Sequence, residues 1–521
     1  MSNFSLIIKN GLVYDGKGNK PVKTDLGIAD DEIKKAGDLS AEAAQNIIDA
    51  AGKCVAPGFI DITSHSDTHW TIFNNPGQES LISQGITTII GGNCGSSLAP
   101  FLGESSAKEI ERWVDSSKIN INWQTMKEFL AEMENHKLGL NFGTFVGLNT
   151  IRRSIIADKQ RIAKIKMLLK SSLEGGAFGM TTNFGLSDLG FFEHEELVEI
   201  FNILAPYHLP VKHHLEDEGQ NLLPAISKMI SAARESKTKM HISHFKALGR
   251  GSWESFAGAL RMMQTARSEG ISITYDFFPY TKTGSSLFAL LPQWFRKYSP
   301  EEATRILSSG QDKRRQDLKD FLKKMTLHYD RIVVASAKAG FSKLGKTIKE
   351  LSLEAGMDTE EVILNLLEMN DLRVSIFNEV ISEENIRAIA ADDYSAVSSD
   401  GVGQSMVRSA HDLPHPRSAG AFPRVISEFS REKNLLPMEK AIHKMTGLPA
   451  QIIGIKDRGV IGKNAKADIV IFDPEKIKDL ATYENPFLQA AGIEHVIING
   501  KSVVSFGKLA GIMPGKVLRN R

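Results

Sequence analysis

Along the middle of the chain, short apolar runs alternate with longer stretches in which apolar residues recur every three or four positions. The runs fall at 60–62, 87–91, 141–146, 178–182, 210–213, 240–243, 271–278 and 395–399. Bounded by Gly, Asn and Asp, they read as buried strands. The stretches at 161–173, 194–204, 222–235 and 253–268 have the amphipathic spacing of helices. Strands alternating with helices of this length predict βα units on a parallel sheet. About eight of them predict a distorted (β/α)8 TIM-like barrel, an α/β fold. A doubly wound sheet is the competing arrangement. However, no Gly-rich phosphate loop follows the first strand, and GGNCG at 91–95 lacks the spacing of one.

The two ends follow a different pattern. Strand-like runs at 4–9, 12–14 and 25–29 are punctuated by Asn10-Gly11 and Asp15-Gly16-Lys17-Gly18. The tail repeats the style at 467–472, 493–498 and 502–505, with a turn at Asn499-Gly500. The expectation is a small β-sandwich formed by both termini, 1–56 with 457–521, beside a barrel at 57–456. Between Tyr280 and Ser395 the chain runs far past an ordinary connection. An insertion at about 281–345 is expected there, either a lid that excludes water from the barrel mouth or a solvated helical insertion.

Charge and cysteine content narrow the functional class. The 521 residues carry 63 Lys+Arg against 62 Asp+Glu, a formal charge of +1, so there is no basic excess for a nucleic-acid partner. No apolar run approaches the ~20 residues that span a bilayer, and the start has no signal-peptide pattern. A cytoplasmic protein without membrane attachment is expected. Two cysteines, Cys54 and Cys94, cannot build a disulfide framework and leave either free as a ligand.

Barrel chemistry sits at the C-terminal ends of strands. Five such ends carry ligand-type residues: His65 in PGFIDITSHSD, Cys94 in GGNCG, His214 in KHHLEDEG, His244 in HISHFK and Asp400 in SSDG. Singly, each has an ordinary explanation: a Cys among glycines fills a core, and Asp-Gly makes a turn. Their convergence on one end of the barrel changes the weighting. One thiolate and two imidazoles suit Zn²⁺ with an open position for water, whose pKa falls to about 7 on the metal. Asp400 is placed to move the proton. His213 is adjacent to His214 and faces the other way, so it reads as structural. His241 reads the same way, and His69 stays open between the two roles.

The motifs PGFID…HSD, GGNCGSSLAP, HLEDEG, ISHFKALG, DFFPY, SSDG and HPRSAGAFPRV, in this order, resemble those of the N-acyl-D-amino-acid deacylases, the D-aminoacylase family of the zinc-dependent amidohydrolase superfamily. The resemblance runs on through ADIVIFDP to PGKVLR and so covers nearly the whole chain. It implies one tightly bound zinc on Cys94, His214 and His244, with Asp400 as general acid/base. It also implies that Lys246, Tyr280 and Arg417 hold the carboxylate of a small N-acyl amino acid. Two departures stand out. The family's His-x-His in the first strand is Thr63-Ser64-His65 here, which predicts a second metal position weakened or absent and His65 as a weak or secondary ligand. Glu216 stands where the family has an arginine, which would shift the preferred substrate side chain. The competing functions are a cyclic-amide hydrolase of the hydantoinase or dihydroorotase kind, and a non-catalytic barrel.

Overall fold

The computed structural model describes residues 4–107, 110–111, 113–114, 119–155, 160–185, 192–325, 327–339, 343–408 and 412–520. All eight expected strands are present: Phe59–Asp61, Ile86–Gly91, Asn141–Thr144 continued by Val146–Gly147, Met180–Asn183, Pro210–His214, Lys239–Ile242, Ile273–Phe277 and Ser395–Val397. They pair in parallel with their sequence neighbours, as βαβ units require. Two seams distort the cylinder. At Phe145 the third strand breaks, its first part pairing with Ile86–Gly91 and its second with Met180–Asn183. Between the eighth and first strands the join is made by Asp61, which accepts from the Ser399 amide at 3.1 Å and from its hydroxyl. The helices outside bury one stripe each. In Leu222–Ser236, Leu222, Ile226, Met229, Ile230 and Ala233 follow the helical repeat and are all buried. Each large apolar side chain removed from water in this way contributes about 1.5–3 kcal/mol.

The chain ends form one nine-stranded sheet, meeting the expectation of a separate β domain built from both termini. Its order runs from Lys508–Leu509 through Lys501–Ser505, Ile493–Ile498 and Ile469–Phe472 to Cys54–Pro57, then Phe4–Val13, Val22–Ala29 and Glu32–Gly37, and the ninth strand, Ala44–Asp49, pairs in parallel with Phe4–Val13. The two ends meet where Cys54–Pro57 pairs antiparallel with Ile469–Phe472. Leu6, Ile8, Leu26, Val55, Ile469 and Ile497 share one core. The turn expected at Asn10-Gly11 is instead a bulge inside a single strand, with Asn10 at φ 62° and a register shift between Ile8 and Gly11. Asn tolerates that left-handed backbone, and a Cβ at Gly11 would meet the Val55 side chain at 2.5 Å.

The long excursion after the seventh strand is a packed unit. Lys282–Ser286, Val374–Glu379 and Ile332–Ala337 form an antiparallel sheet in that order, with helices closing over Leu287, Phe295, Ile306, Leu318, Ile363 and Val374. It extends past the expected end near 345, because its central strand is Val374–Glu379.

Buried polar contacts dock the sheet domain on the barrel. Arg458 pairs with Asp468 and donates to Asn499 Oδ1 at 2.9 Å. Asp468 also accepts from Asn141 of the third barrel strand at 3.0 Å, and Asn499 donates to Asn141 Oδ1 at 2.8 Å. The Arg458 and Asp468 side chains are only 4% and 2% exposed. Removing one partner strands the other charge in a dry site, so Asp468→Ala is expected to lower stability by about 3–5 kcal/mol. Equilibrium denaturant unfolding measures this; a change inside the error of the method would show that the network does not hold the two parts together.

Candidate metal centre

The loop that presents Cys94 is pinned by the segment after the first strand. Asp67 Oδ2 accepts from the Gly92 amide at 2.6 Å, and Asn93 Nδ2 donates to Ser64 O at 2.9 Å and Ile90 O at 2.8 Å. Gly92 has φ +72°, and a Cβ there would lie 2.1 Å from Phe145 O, so only glycine fits. Cys94, His244 and Asp400 all have positive φ, at 53°, 35° and 48°. Strained backbone of this kind concentrates at functional sites.

Cys94 Sγ stands 3.3 Å from His244 Nε2. The ligand atoms of Cys94, His214 and His244 all lie within 4.8 Å of one another, the one such group among the described residues. His214 Nδ1 is buried and makes no hydrogen bond. Across a tetrahedral zinc, S and N donors stand roughly 3.3–3.8 Å apart, so these residues fit the ion. Burial opposes a Cys94 thiolate, yet the imidazoles of His244, His214 and His65 hold its pKa well below the usual thiol range. Burial also opposes an imidazolium at His244, but Asp400 and Cys94 prevail and raise its pKa to about 9. The other face of His244 meets Glu218: Nδ1 lies 3.3 Å from Glu218 Oε1, which takes the Lys246 ammonium at 2.6 Å. Carboxylates in this position orient metal-binding imidazoles.

Asp400 faces the cluster from the eighth strand. Its Oδ1 lies 3.1 Å from His65 Nε2, and its Oδ2 pairs with the Arg417 guanidinium. Burial works against its ionisation, but Arg417, His244 and His65 hold the carboxyl well below its ordinary range. Arg417 packs 4.7 Å from the centre of the Phe278 ring, and its Nε is buried without a hydrogen bond. The insertion passes over this arginine: a Cβ at Gly284 would lie 3.5 Å from Arg417 Nη2.

The amidohydrolase family model matches residues 398–504, which include Asp400 and Arg417. The N-acyl-D-glutamate deacylase of Alcaligenes xylosoxydans xylosoxydans is 30% identical over 521 residues, covering 99% of this chain and 96% of its own. The chain belongs to the N-acyl-D-amino-acid deacylase family. Among solved structures, the N-acyl-D-glutamate deacylase of Bordetella bronchiseptica, complexed with zinc and a phosphonate inhibitor, superposes with a TM-score of 0.83 at 25% identity over 99% of both chains. A D-aminoacylase structure addressing a binuclear metal centre, with one-metal activation and second-metal attenuation, gives 0.82 at 27% identity over 99% of this chain and 100% of its own.

Within this deacylase, the remaining expected residues are distributed unevenly around the cluster. His65 Nε2 approaches Cys94 Sγ at 4.0 Å, at the margin of the donor triangle. Lys246 lies beside His244, its ammonium 2.8 Å from Nδ1. Tyr280 is buried with an unpartnered hydroxyl, and the charges acting on it are those of Asp479, Arg424 and Glu428. His69 stacks on Trp113 at 4.6 Å and is held neutral, with a pKa lowered to about 3 by burial and by the charge of His65. His213 bonds Thr182, and His241 bonds Thr274 and Asp276. The Glu216 carboxylate pairs with Lys228 at 2.9 Å, so its charge is balanced within the protein.

Three residues escaped the sequence reading. Glu218 sits four positions after His214 in HLEDEG, and its Oε2 lies 4.0 Å from His214 Nε2. Asp276 lies inside an apolar strand. Lys212 alternates with His214, so strand geometry points both inward, and that spacing was the available signal.

An ion held by Cys94, His214 and His244 must displace the His244 proton. Zinc binding to the metal-free protein near pH 8 is therefore expected to release about one proton. The release should fade as pH rises through the His244 value of about 9, where the imidazole is already neutral. Calorimetry in buffers of differing ionisation enthalpy reads the number, and binding without proton release would contradict the electrostatics described.

Proposed function

We propose that the protein hydrolyses the amide bond of N-acyl-D-amino acids, giving a carboxylate and a free D-amino acid, with one tightly held zinc ion. The observation that carries this reading is the Cys94–His214–His244 donor triangle facing Asp400, in a chain aligned from end to end with a deacylase. Zinc, when bound, supplies an acidified water and a positive charge beside the acyl oxygen. Asp400 takes the proton of the attacking water and returns it to the leaving nitrogen. Arg417, anchored on Asp400, keeps that carboxylate ionised and ready to accept. Glu218 fixes His244 through Nδ1 and is balanced by Lys246.

Arg417 is the cation available for the substrate's own carboxylate, and Tyr280 supplies a neutral hydroxyl, whereas the Lys246 ammonium is engaged by Glu218 Oε1 at 2.6 Å and by Nδ1 and O of His244 at 2.8 and 3.1 Å. The free Nε of Arg417 supports this assignment. Because Arg417 also serves Asp400, its loss should lower kcat as well as raise KM. The insertion packs against Arg417 through Gly284 and would exclude water as a lid. We assign His65 a secondary place beside Asp400. A second ion is disfavoured, because a threonine hydroxyl stands where an imidazole would be needed. Both cysteines are free, which supports a reducing, cytoplasmic setting. Among the described residues, no helix is long and apolar enough to cross a membrane.

The decisive assay is a hydrolysis screen of paired N-acetyl-D- and N-acetyl-L-amino acids with zinc quantified in the same samples. Turnover confined to the D series is expected, and preference for the L series would reverse the assignment. Asp400→Asn should retain zinc and lose roughly 10²–10⁴-fold in kcat. Near-normal turnover in that variant would remove Asp400 from the proton path.

A further inference from the structure

Resting on the single-zinc reading above, we infer that the ammonium of Lys212 is a built-in cation whose charge keeps a second metal ion out and limits the centre to one. Lys212 and His214 lie two positions apart on the fifth barrel strand and so share the inward face. The Lys212 side chain is fully buried. Its ammonium donates to Ile62 O at 2.9 Å, to Asn93 Oδ1 at 2.7 Å and to the Thr63 hydroxyl, with Asp276 Oδ2 at 3.3 Å. Four oxygens from the first, second and seventh strand regions thus surround one positive charge. The charge is fixed there, tethered to the chain and bonded to Asn93, the neighbour of Cys94.

Thr63 completes the argument. It occupies the position where the family pattern has the first histidine of His-x-His. Its hydroxyl donates to Asp276 Oδ2 at 2.7 Å and accepts from Lys212, so it is committed to both partners. The first strand then offers only His65 to an ion beside Cys94, and His65 is engaged by Asp400 at 3.1 Å. A doubly charged ion entering there would meet a fixed positive charge next to a depleted donor set. The D-aminoacylase of similar structure is described as attenuated by its second metal. In this chain Lys212 removes that response.

The test titrates the full-length, metal-stripped protein with zinc, counting bound ions by mass spectrometry and following turnover in parallel. The wild-type chain should saturate at one ion, and excess zinc should leave turnover undiminished. Thr63→His alone should still hold one ion, because Lys212 remains. Thr63→His with Lys212→Ala should take up two, and excess zinc should then reduce turnover. The new imidazole keeps Asp276 partnered in that double variant, and circular dichroism checks its fold. Two ions in the wild-type chain or in Thr63→His overturns the inference, as does one ion in a folded double variant. Should the double variant not fold, the count in Thr63→His decides alone. A wild-type chain that binds no zinc overturns the metal-centre reading itself, a result distinct from either count.

Discussion

The carboxylate of Asp276 is the contact on which the rest of the site depends. It lies wholly inside the barrel, on the seventh strand, and collects donors from four other strand regions. Thr63 and His241 donate to Oδ2, at 2.7 and 2.8 Å, and Lys212 balances the charge there. Ser398 Oγ and the His244 amide donate to Oδ1, at 2.7 and 2.8 Å. Burial disfavours the charged form, but Lys212 and His241 prevail and keep the group ionised. A fully satisfied buried network of this kind rigidifies what it touches. One of its members is the backbone of a proposed metal ligand, so the position of His244 is set from below before any ion arrives.

The same logic extends outward in layers. Asp276 fixes the His244 backbone, Glu218 fixes its ring, and Asp67 fixes the loop that carries Cys94. The segment PGFIDITSHSD therefore serves mainly as framework here. Asp61 closes the barrel seam, Thr63 joins the interior network, and Asp67 holds the neighbouring loop, leaving His65 as the one side chain turned toward the donor triangle. A segment whose family pattern supplies two ligands serves here as scaffolding for candidate ligands from other strands.

The barrel, the β domain and the five strand-end residues were legible in the sequence because each rests on periodicity or on polar residues at the end of an apolar run. Asp276 was not: it stands one residue before the end of its strand, Ile273–Phe277, and nothing local names the partners that make it the hub. Those partners come from residues as far apart as Thr63 and Ser398. The Asn10 bulge was misread as a turn because Asn-Gly marks left-handed backbone without saying whether the strand resumes. The extent of the insertion was underestimated for a related reason: its central strand, Val374–Glu379, comes last in sequence, and strand order is a property of the assembled sheet.

The seam between Cys54–Pro57 and Ile469–Phe472 bears on how the protein is made. Strand Cys54–Pro57 leaves the ribosome early, yet its antiparallel partner is synthesised some four hundred residues later. Until then one edge of an apolar strand has open hydrogen-bonding groups, the kind of edge that recruits other chains. The barrel can assemble while the nascent chain lengthens, but the β domain can close only once the final strands emerge. Synthesis thus leaves a long interval in which the N-terminal strands need shielding, and the last tenth of the chain ends it.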